Sequence, residues 1–516
     1  MNRLPTSGQL SSEKKATDDM RSDRNKKKNR NELVEQEQPK QHKGLVRLTR
    51  FWGFLFLLLS LAAAGILTFS GLLPSKYLLA AVILIGVLFL LLFPALVLPR
   101  IKKSRRVVAL ILSLLLGIGY GVGTWYLAGT LDFLTKITSI ASSKETYYVV
   151  VRDDDAFSSL EDIAGKDVYA TQSSNKYAQA EEKLKEQVDV NMLRIADLDE
   201  TMNELLMGYI DVTFLNEESY DSLCEKYENL SDDTKILDEV TIRISLSEIA
   251  KPVSVASEPF NILITGMDTT GDISEYSRSD VNMIMTVNPG TRTVLLTSIP
   301  RDYYVPLPDV GEFDKLTHTG VYGPDETVAA VEGLLDIDMN YYIKVNYSTL
   351  IKLVDAIGGV YVDSDYEFLT YDGKYYFVEG ENYLDGENAL AFARERKAFP
   401  DGDFQRNRDQ QKVLKAILEK MSSSSTLLLK YTSILNSIEN NIEFNMPAAD
   451  VKALVRMQLD DMSGWDIRTQ SILGGIGDAP CYSLGNAYAS VVTQDPESIA
   501  AAVAEIQAVM SPATGE

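Results

Sequence analysis

The stretch ARERKAFPDGDFQRNRDQQ at residues 393–411 sets Arg394, Arg396, Lys397, Arg406 and Arg408 close together in a chain of 516 residues whose formal net charge is −23. Guanidinium forks gathered in an acidic protein point to a bound anion, held two oxygens at a time. In QQKVLKAILEKM the apolar residues Val413, Leu414, Ile417 and Met421 recur at helical spacing. Stepping back by three and four puts Gln410 and Arg406 on the same inward face. Arg408, about 200° round the helix from Arg406, should look outward with Lys412 and Lys415. Arg406 also stands in the first helical turn, where a cation opposes the helix dipole, so an inward arginine there needs an anion. Arg394 and Arg396 end the preceding helical run. Cations are favourable there on their own account, and an i, i+2 pair converges only where the helix frays.

A second set of charges sits where apolar runs stop. FNILITG, VNMIMTV and TVLLTSI read as central strands. Asp268 closes the first, Arg278 and Asp280 open the second, and Arg301 and Asp302 close the third. Hairpin connections, the second through NPGT, would bring these ends to one sheet edge. Taken singly, a strand-end aspartate is a solvated turn residue, but arginines recur beside these. Carboxylates without histidine or cysteine make a hard oxygen site suited to Mg²⁺ at Asp268 and Asp280. If Arg278, Arg301, Arg394, Arg396 and Arg406 converge on it, the site is a pyrophosphate cradle, fit for phosphoryl transfer by positioning and charge stabilisation. Asp302 and Asp403 are equal candidates for the general base. No G-x-x-x-x-G-K-[ST] loop is present, which argues against a nucleotide triphosphatase. His42 and His318 are the only histidines, and Cys224 and Cys481 the only cysteines; they could form one disulfide, but two buried free thiols are expected, and no zinc spacing exists.

The elements that must position these groups begin at a membrane. Residues 51–73, 77–99 and 107–131 are charge-free apolar runs of a length that spans a bilayer. Residues 1–50 carry 13 basic groups and RIKKSRR at 100–106 carries five, so the N-terminal tail and second loop should be cytoplasmic and everything beyond residue 131 extracellular. Residues 1–131 sum to +12 and the remainder to −35. The tail is expected to be a disordered basic arm near anionic lipid, with no fold signal for nucleic acid. Residues 146–250 alternate short β-type and helical runs, a small α/β accessory domain. Its SSLEDIAGKDVYA and MGYIDVTFLN resemble part of a lobe of extracellular solute-binding proteins, an analogy that establishes no site. KPVSVASEP at 251–259 is a linker, and 259–516 is expected to be an α-β-α catalytic domain on a central mixed sheet. It should be interrupted by the SSSS linker at 422–425 and end in a helical extension that includes a helix opening at Pro447.

Taken together, ITGMDTTGDISEYSRSDVNMIMTVNP, LTSIPRDYYVPLP, DKLTHTGVYG, FARER and DGDFQRNRDQQ resemble the LytR-CpsA-Psr family of Gram-positive cell-envelope proteins over about residues 259–421. The membrane spans and accessory domain resemble its capsule-associated members. The resemblance implies transfer of a glycan, capsule or teichoic acid, from a polyprenyl-pyrophosphate carrier to peptidoglycan through a phosphodiester. It implies Mg²⁺, with Mn²⁺ as a substitute, on Asp268 and Asp280, and pyrophosphate contacts from Arg278, Arg301, Arg394, Arg396 and Arg406 with Gln410 beside them and Lys315 at the head group. Arg278, Arg301 and Asp280 would be catalytic. Membrane lipid and other capsule or wall assembly proteins are the further partners implied. Two other readings remain: a lipid-pyrophosphate hydrolase or carrier-binding regulator using the same pocket, and a transcriptional regulator, which the absence of a folded cytoplasmic domain opposes.

Overall fold

The computed structural model describes residues 43–511 except 140–141, 171–174, 196, 228, 247–248, 268–272, 274–276, 310, 423–433, 435–436 and 439–440. Residues 1–42 of the expected disordered tail (1–50) and most of the serine linker therefore lie outside the described residues, and residues 44–50 of that tail are helical instead. The three apolar runs form α1 (Gly44–Ser70), α2 (Ser75–Val97) and α3 (Lys103–Asp132), each long and apolar enough to cross a membrane. α1 and α3 start several residues before their charge-free runs, because hydrophobicity marks the hydrocarbon thickness and not the helix; Arg47, Arg50, Arg105 and Arg106 ride on the extra turns. Phe51, Phe54, Leu58, Leu90 and Trp125 are exposed, an arrangement that lipid accommodates and water does not. Arg106 is buried instead. It donates to Leu96 O (2.7 Å) and Thr49 Oγ1 (2.9 Å), satisfying a carbonyl freed at the end of α2.

From Ala128 onward the chain forms a second compact unit. Its first part is a five-stranded sheet of β1 (Ser142–Arg152), β2 (Asp167–Ala170), β3 (Asn191–Arg194), β4 (Val212–Asn216) and β5 (Thr234–Ser245), in the order β3-β2-β4-β1-β5. β2 runs parallel to β3 and β4, and β1 antiparallel to β4 and β5. Helices α4 (Asn175–Gln187), α5 (Leu198–Leu206) and α6 (Glu217–Lys226) complete this α/β module. Asp197 and Asn216 cap α5 and α6 through the amides of Glu200 and Ser219. Tyr147, Val149, Tyr177 and Phe214 centre its core.

The larger part is built on β6 (Phe260–Met267), β7 (Ser279–Asn288), β8 (Thr293–Ile299), β9 (Tyr304–Pro306), β10 (Phe313–Lys315), α7 (Pro324–Leu335), β11 (Tyr341–Val345), α8 (Tyr347–Ile357), β12 (Val360–Ser364), β13 (Gly380–Leu384), α9 (Gly386–Arg394) and α10 (Asp403–Ser422). It ends in β14 (Ile442–Phe444), α11 (Ala448–Asp461), β15 (Asp466–Ser471), β16 (Gly474–Cys481), β17 (Ala487–Gln494) and α12 (Pro496–Met510). The central mixed sheet has the order β14-β11-β6-β7-β8-β15. β6, β7 and β8 are successive antiparallel neighbours, and β7 and β8 are joined through the NPGT turn, where Asn288 Oδ1 accepts from the amides of Gly290 and Thr291. The expected helical extension is present as α11, with Pro447 at its N-cap, and as α12, but the strands between and before them were not expected. β14 and β15 add the two outer strands of the main sheet, and β16 pairs with β17 as a separate hairpin. Their polarity hid them: β15 buries one residue of DIRTQS, and β16 is GGIGDAPC, rich in residues that ordinarily break strands.

Candidate active site

The antiparallel order places the end of β6, the start of β7 and the end of β8 at one sheet edge. The ladder between β6 and β7 slips there: Gly266 opposes Val281 and Met267 opposes Ser279, leaving Asp280 as the extra residue of a β-bulge. A bulge re-aims a side chain next to a site. The strands approach so closely that a Cβ on Gly266 would fall 2.9 Å from Val281 Cβ. Asp280 Oδ2 accepts from Arg301 Nη1 at 2.7 Å, and Oδ1 accepts from Thr317 Oγ1 at 3.1 Å.

Around this pair stand the other strand-end and helix-start charges. Arg301 Nε lies 3.7 Å from Asp302 and 3.8 Å from Asp403; Lys315 Nζ, at the end of β10, is 3.0 Å from Asp302 Oδ1; Arg406 Nη2 is 2.7 Å from Asp403 Oδ1. Arg406 is buried, as the inward face of α10 demands. Its Nε and Nη2 and the Nε of Arg301 are buried with no hydrogen-bond partner among the described residues, despite the nearby carboxylates. Buried donors are normally satisfied; Arg406 Nη2 meets Asp403 as an ion pair without hydrogen-bond alignment, which leaves the Nε of Arg301 and of Arg406 as the donors able to take a further acceptor. The two arginines differ electrically. Burial lowers the pKa of Arg406, with Arg301 and Arg396 acting the same way and Asp403 and Asp280 opposing. Burial would lower Arg301 too, but Asp280, Asp403 and Asp302 reverse the sign and hold it charged. For Asp280, burial would raise the carboxyl, yet Arg301, Arg406 and Thr317 hold it below the ordinary carboxylate range.

Arg394 and Arg396 come together in a pocket whose lining includes none of Asp280, Arg301 and Arg406. The helix α9 ends at Arg394, and Glu395 turns the chain by accepting from the amides of Arg396 (2.9 Å), Lys397 (2.7 Å) and Ala398 (3.0 Å) with one oxygen and from Tyr371 N (2.7 Å) with the other. Both arginines line an open pocket of about 430 Å³ with Tyr371, Lys374 and Tyr375. The Arg394 guanidinium also lies 4.3 Å from the Tyr347 ring. Gln410 Nε2 donates to Ala393 O at 3.3 Å, tying α10 to the last turn of α9. Arg278 is exposed and lines a pocket with His318, Tyr322 and Tyr482, so it is not among the ion pairs around Asp280; it precedes β7, where no ladder fixes its direction. Asp268 lies outside the described residues. Arg408 pairs with Asp401 at 2.6 Å and with Gln405 instead of standing free in solvent. Cys224 and Cys481 are free thiols, with Cys481 buried and pushed up to about 12 by that burial.

Sequence reasoning missed four parts of this arrangement. The bulge at Asp280 carries no compositional mark, and Thr317 and Glu395 act through contacts that only folding creates. The fourth is Asp409, on α10 between Arg406 and Gln410, which is buried and accepts from Gln405 Nε2 at 3.0 Å. Burial pushes its carboxyl up to about 7, only partly opposed by Lys412. An acid raised on folding adds stability that is complete below its unfolded value and is lost as pH rises toward the folded one. Asp409→Asn is therefore expected to melt higher than wild type at pH 8 and to lose most of that advantage by pH 5. Thermal melts at the two pH values check this, and a pH-independent difference would refute it.

The carboxylates present are hard oxygen donors; among the described residues no group of three or more histidine, cysteine or acidic side chains is set to hold a metal, and His318 Nδ1 is engaged by Asp314 (2.6 Å) and Ser483 (2.7 Å). One or two carboxylates are what Mg²⁺ takes when phosphate oxygens and water complete its shell, so the donor chemistry fits that ion.

Comparison with known proteins gives concordant matches. Residues 212–487 match the model of the LytR_cpsA_psr family. A protein of Bacillus cereus (strain AH820), the polyisoprenyl-teichoic acid–peptidoglycan teichoic acid transferase TagU, is 41% identical over 201 residues, 39% of this chain and 64% of that protein. TagU of Bacillus mycoides (strain KBAB4) is 39% identical over 225 residues, 43% of this chain and 72% of that protein. The chain thus spans less than two thirds of the first relative's length and somewhat more of the second's. The solved structure of B. subtilis TagV, 30% identical, aligns with 49% of this chain and 98% of its own at a TM-score of 0.41. The family model covers more than half of the sequence, and the chain belongs to the LytR_cpsA_psr family.

Proposed function

We propose that this protein transfers a wall glycopolymer from a polyprenyl-pyrophosphate carrier to peptidoglycan, forming a phosphodiester. The observation that supports the reading is the pair of buried guanidinium groups of Arg301 and Arg406, each with an Nε that has no hydrogen-bond partner among the described residues, beside Asp280 at the sheet edge. A pyrophosphate supplies oxygen acceptors in number and a charge that offsets the burial of Arg406. The relatives' names support a polyisoprenyl-linked donor and a peptidoglycan acceptor. The glycan itself, teichoic acid or capsule, is set by groups beyond the pyrophosphate.

In the step proposed, a peptidoglycan sugar hydroxyl attacks the glycan-bearing phosphorus. The new O–P bond forms as the bond from that phosphorus to the bridging oxygen breaks, and polyprenyl phosphate leaves. Arg301 and Arg406 hold the non-bridging oxygens and stabilise charge that grows in the transition state. Arg394 and Arg396 bind from the α9 side, and Lys315 orients the head group. Asp302 and Asp403 are the carboxylates in reach to accept the hydroxyl proton. Asp280, with Asp268, would hold Mg²⁺, which when bound neutralises phosphate charge. The basic loops flanking the apolar helices support an extracellular position for this domain.

A reconstituted assay with lipid-linked glycan, peptidoglycan and Mg²⁺ tests the reading. Transfer predicts glycan on peptidoglycan in step with release of polyprenyl phosphate. Release without attachment would make the protein a hydrolase, and protection of residues 260–420 from protease on intact protoplasts would overturn the topology.

A further inference from the structure

Residues 360–384 make a two-tiered hairpin. β12 pairs with β13 in the first tier, and Phe368–Leu369 pairs with Tyr376–Phe377 in the second. The inward residues of both tiers, Val360, Val362, Leu384, Phe368 and Phe377, belong to one core with Phe392 of α9. The outward residues of both tiers therefore face away from that core. Alternation puts Tyr361, Asp363, Glu381 and Tyr383 on the outer side of the first tier and Leu369 and Tyr376 on that of the second. Tyr361 and Tyr383 are cross-strand partners with ring centroids 5.3 Å apart. Tyr361, Tyr376 and Tyr371 remain 62%, 59% and 73% exposed. Folding has spent nothing on covering them.

The composition of the hairpin narrows what could cover them. Its 25 residues hold six tyrosines, six acidic groups and one lysine. Six carboxylates on one excursion repel an anionic lipid surface or an anionic polymer. Flat rings that are hydrophobic on the face and polar at the tip, set among carboxylate acceptors, suit an uncharged polyhydroxylated ring: its C–H face stacks on tyrosine and its hydroxyls donate to Asp363 and Glu381. The hairpin also reaches the pocket of Arg394 and Arg396. Tyr371 at its tip lies 3.9 Å from Lys397 Nζ, and lines the pocket that holds Arg394 and Arg396.

We propose that the outer face of this hairpin, centred on Tyr361, Tyr376 and Tyr383 with Asp363 and Glu381, is the docking platform for the acceptor, the neutral sugar chain of a peptidoglycan glycan strand. This rests on the proposed transfer reaction. The platform holds the strand along its sugar faces and delivers one hydroxyl to the arginine side of the site.

Full-length protein in detergent, as wild type and as Tyr361→Ala/Tyr376→Ala, is to be sedimented with sacculi stripped of wall polymer and, separately, with phosphatidylglycerol vesicles. The variant is expected to bind sacculi about tenfold more weakly. Its KM for sacculi in transfer should rise with kcat nearly unchanged, while affinity for the lipid-linked donor and the melting temperature stay at wild-type values. Tyr361→Phe/Tyr376→Phe should restore binding, since the ring face is retained. Equal sacculus binding by a folded alanine variant overturns the proposal, as does a loss confined to vesicles, which would make the face a lipid contact. If the double variant fails to fold, Tyr361→Ala alone carries the same comparison. Sacculus sedimentation does not need turnover, so wild-type binding with no donor consumed would sink the transfer reading and leave the platform standing.

Discussion

Arg406→Met is expected to lower kcat/KM for glycan transfer by about 10²–10³-fold without lowering thermal stability. The two halves of this expectation have one origin. Arg406 is buried in the first turn of α10, its Nε has no hydrogen-bond partner among the described residues, its Nη2 meets Asp403 (2.7 Å) only as an ion pair, and burial with the neighbouring Arg301 and Arg396 lowers its pKa against the opposing pull of Asp403 and Asp280. In the free protein the buried guanidinium is a cost that folding tolerates, of the kind that makes active sites less stable than they could be. Methionine keeps much of the volume and removes that cost, with the loss of one ion pair to Asp403 set against it. A bound pyrophosphate changes the balance, because it supplies the acceptors and the opposite charge. Inorganic pyrophosphate should accordingly raise the melting temperature of wild type more than that of the variant. A variant that melts several degrees lower yet keeps the full pyrophosphate response would defeat this account of Arg406.

Asp280→Ala is expected to abolish transfer and also to destabilise the domain, by about 3 kcal/mol. Here the pair is structural as well as functional. Removing the carboxylate takes the 2.7 Å acceptor from Arg301 and the 3.1 Å partner from Thr317, and leaves a guanidinium whose side chain is 20% exposed facing only the more distant Asp302 and Asp403. Asp280→Asn retains an acceptor for Thr317 and so should lose less stability while remaining inactive. The pH dependence has a definite sign. Burial would raise Asp280, but Arg301 and its neighbours hold it below the ordinary carboxylate range. Its stabilisation is therefore complete above that range and is lost as pH falls through it. The gap in denaturant midpoint between wild type and Asp280→Ala should be full at pH 7 and narrow in acid. An equal gap at both would mean that the pair is not the source.

Arg301 and Arg406 illustrate what was and was not legible in the sequence. Helical periodicity put Arg406 inward, and the structure buries it; the strand runs put Asp280 and Arg301 at one edge, and the ladder brings them to 2.7 Å. Local chemistry suffices for such statements, because period, charge and chain direction are properties of neighbouring residues. The same holds for the three apolar helices, whose charge-free runs match the thickness of a bilayer's hydrocarbon. The edge strand β14 escaped notice because its three residues, IEF, are too few to show a period, and β15 because pairing with a sheet already buried elsewhere can hold a largely exposed segment.

By itself, then, the chain's order of residues determined which groups carry charge and which elements bear them. The tertiary structure decided the rest. A one-residue bulge aimed Asp280, Glu395 folded the turn that lets Arg394 and Arg396 share a pocket, and the packing of two hairpin tiers onto one core left their tyrosines outward. Each of these depends on contacts between residues distant in sequence, whose energies exist only once the chain has closed on itself.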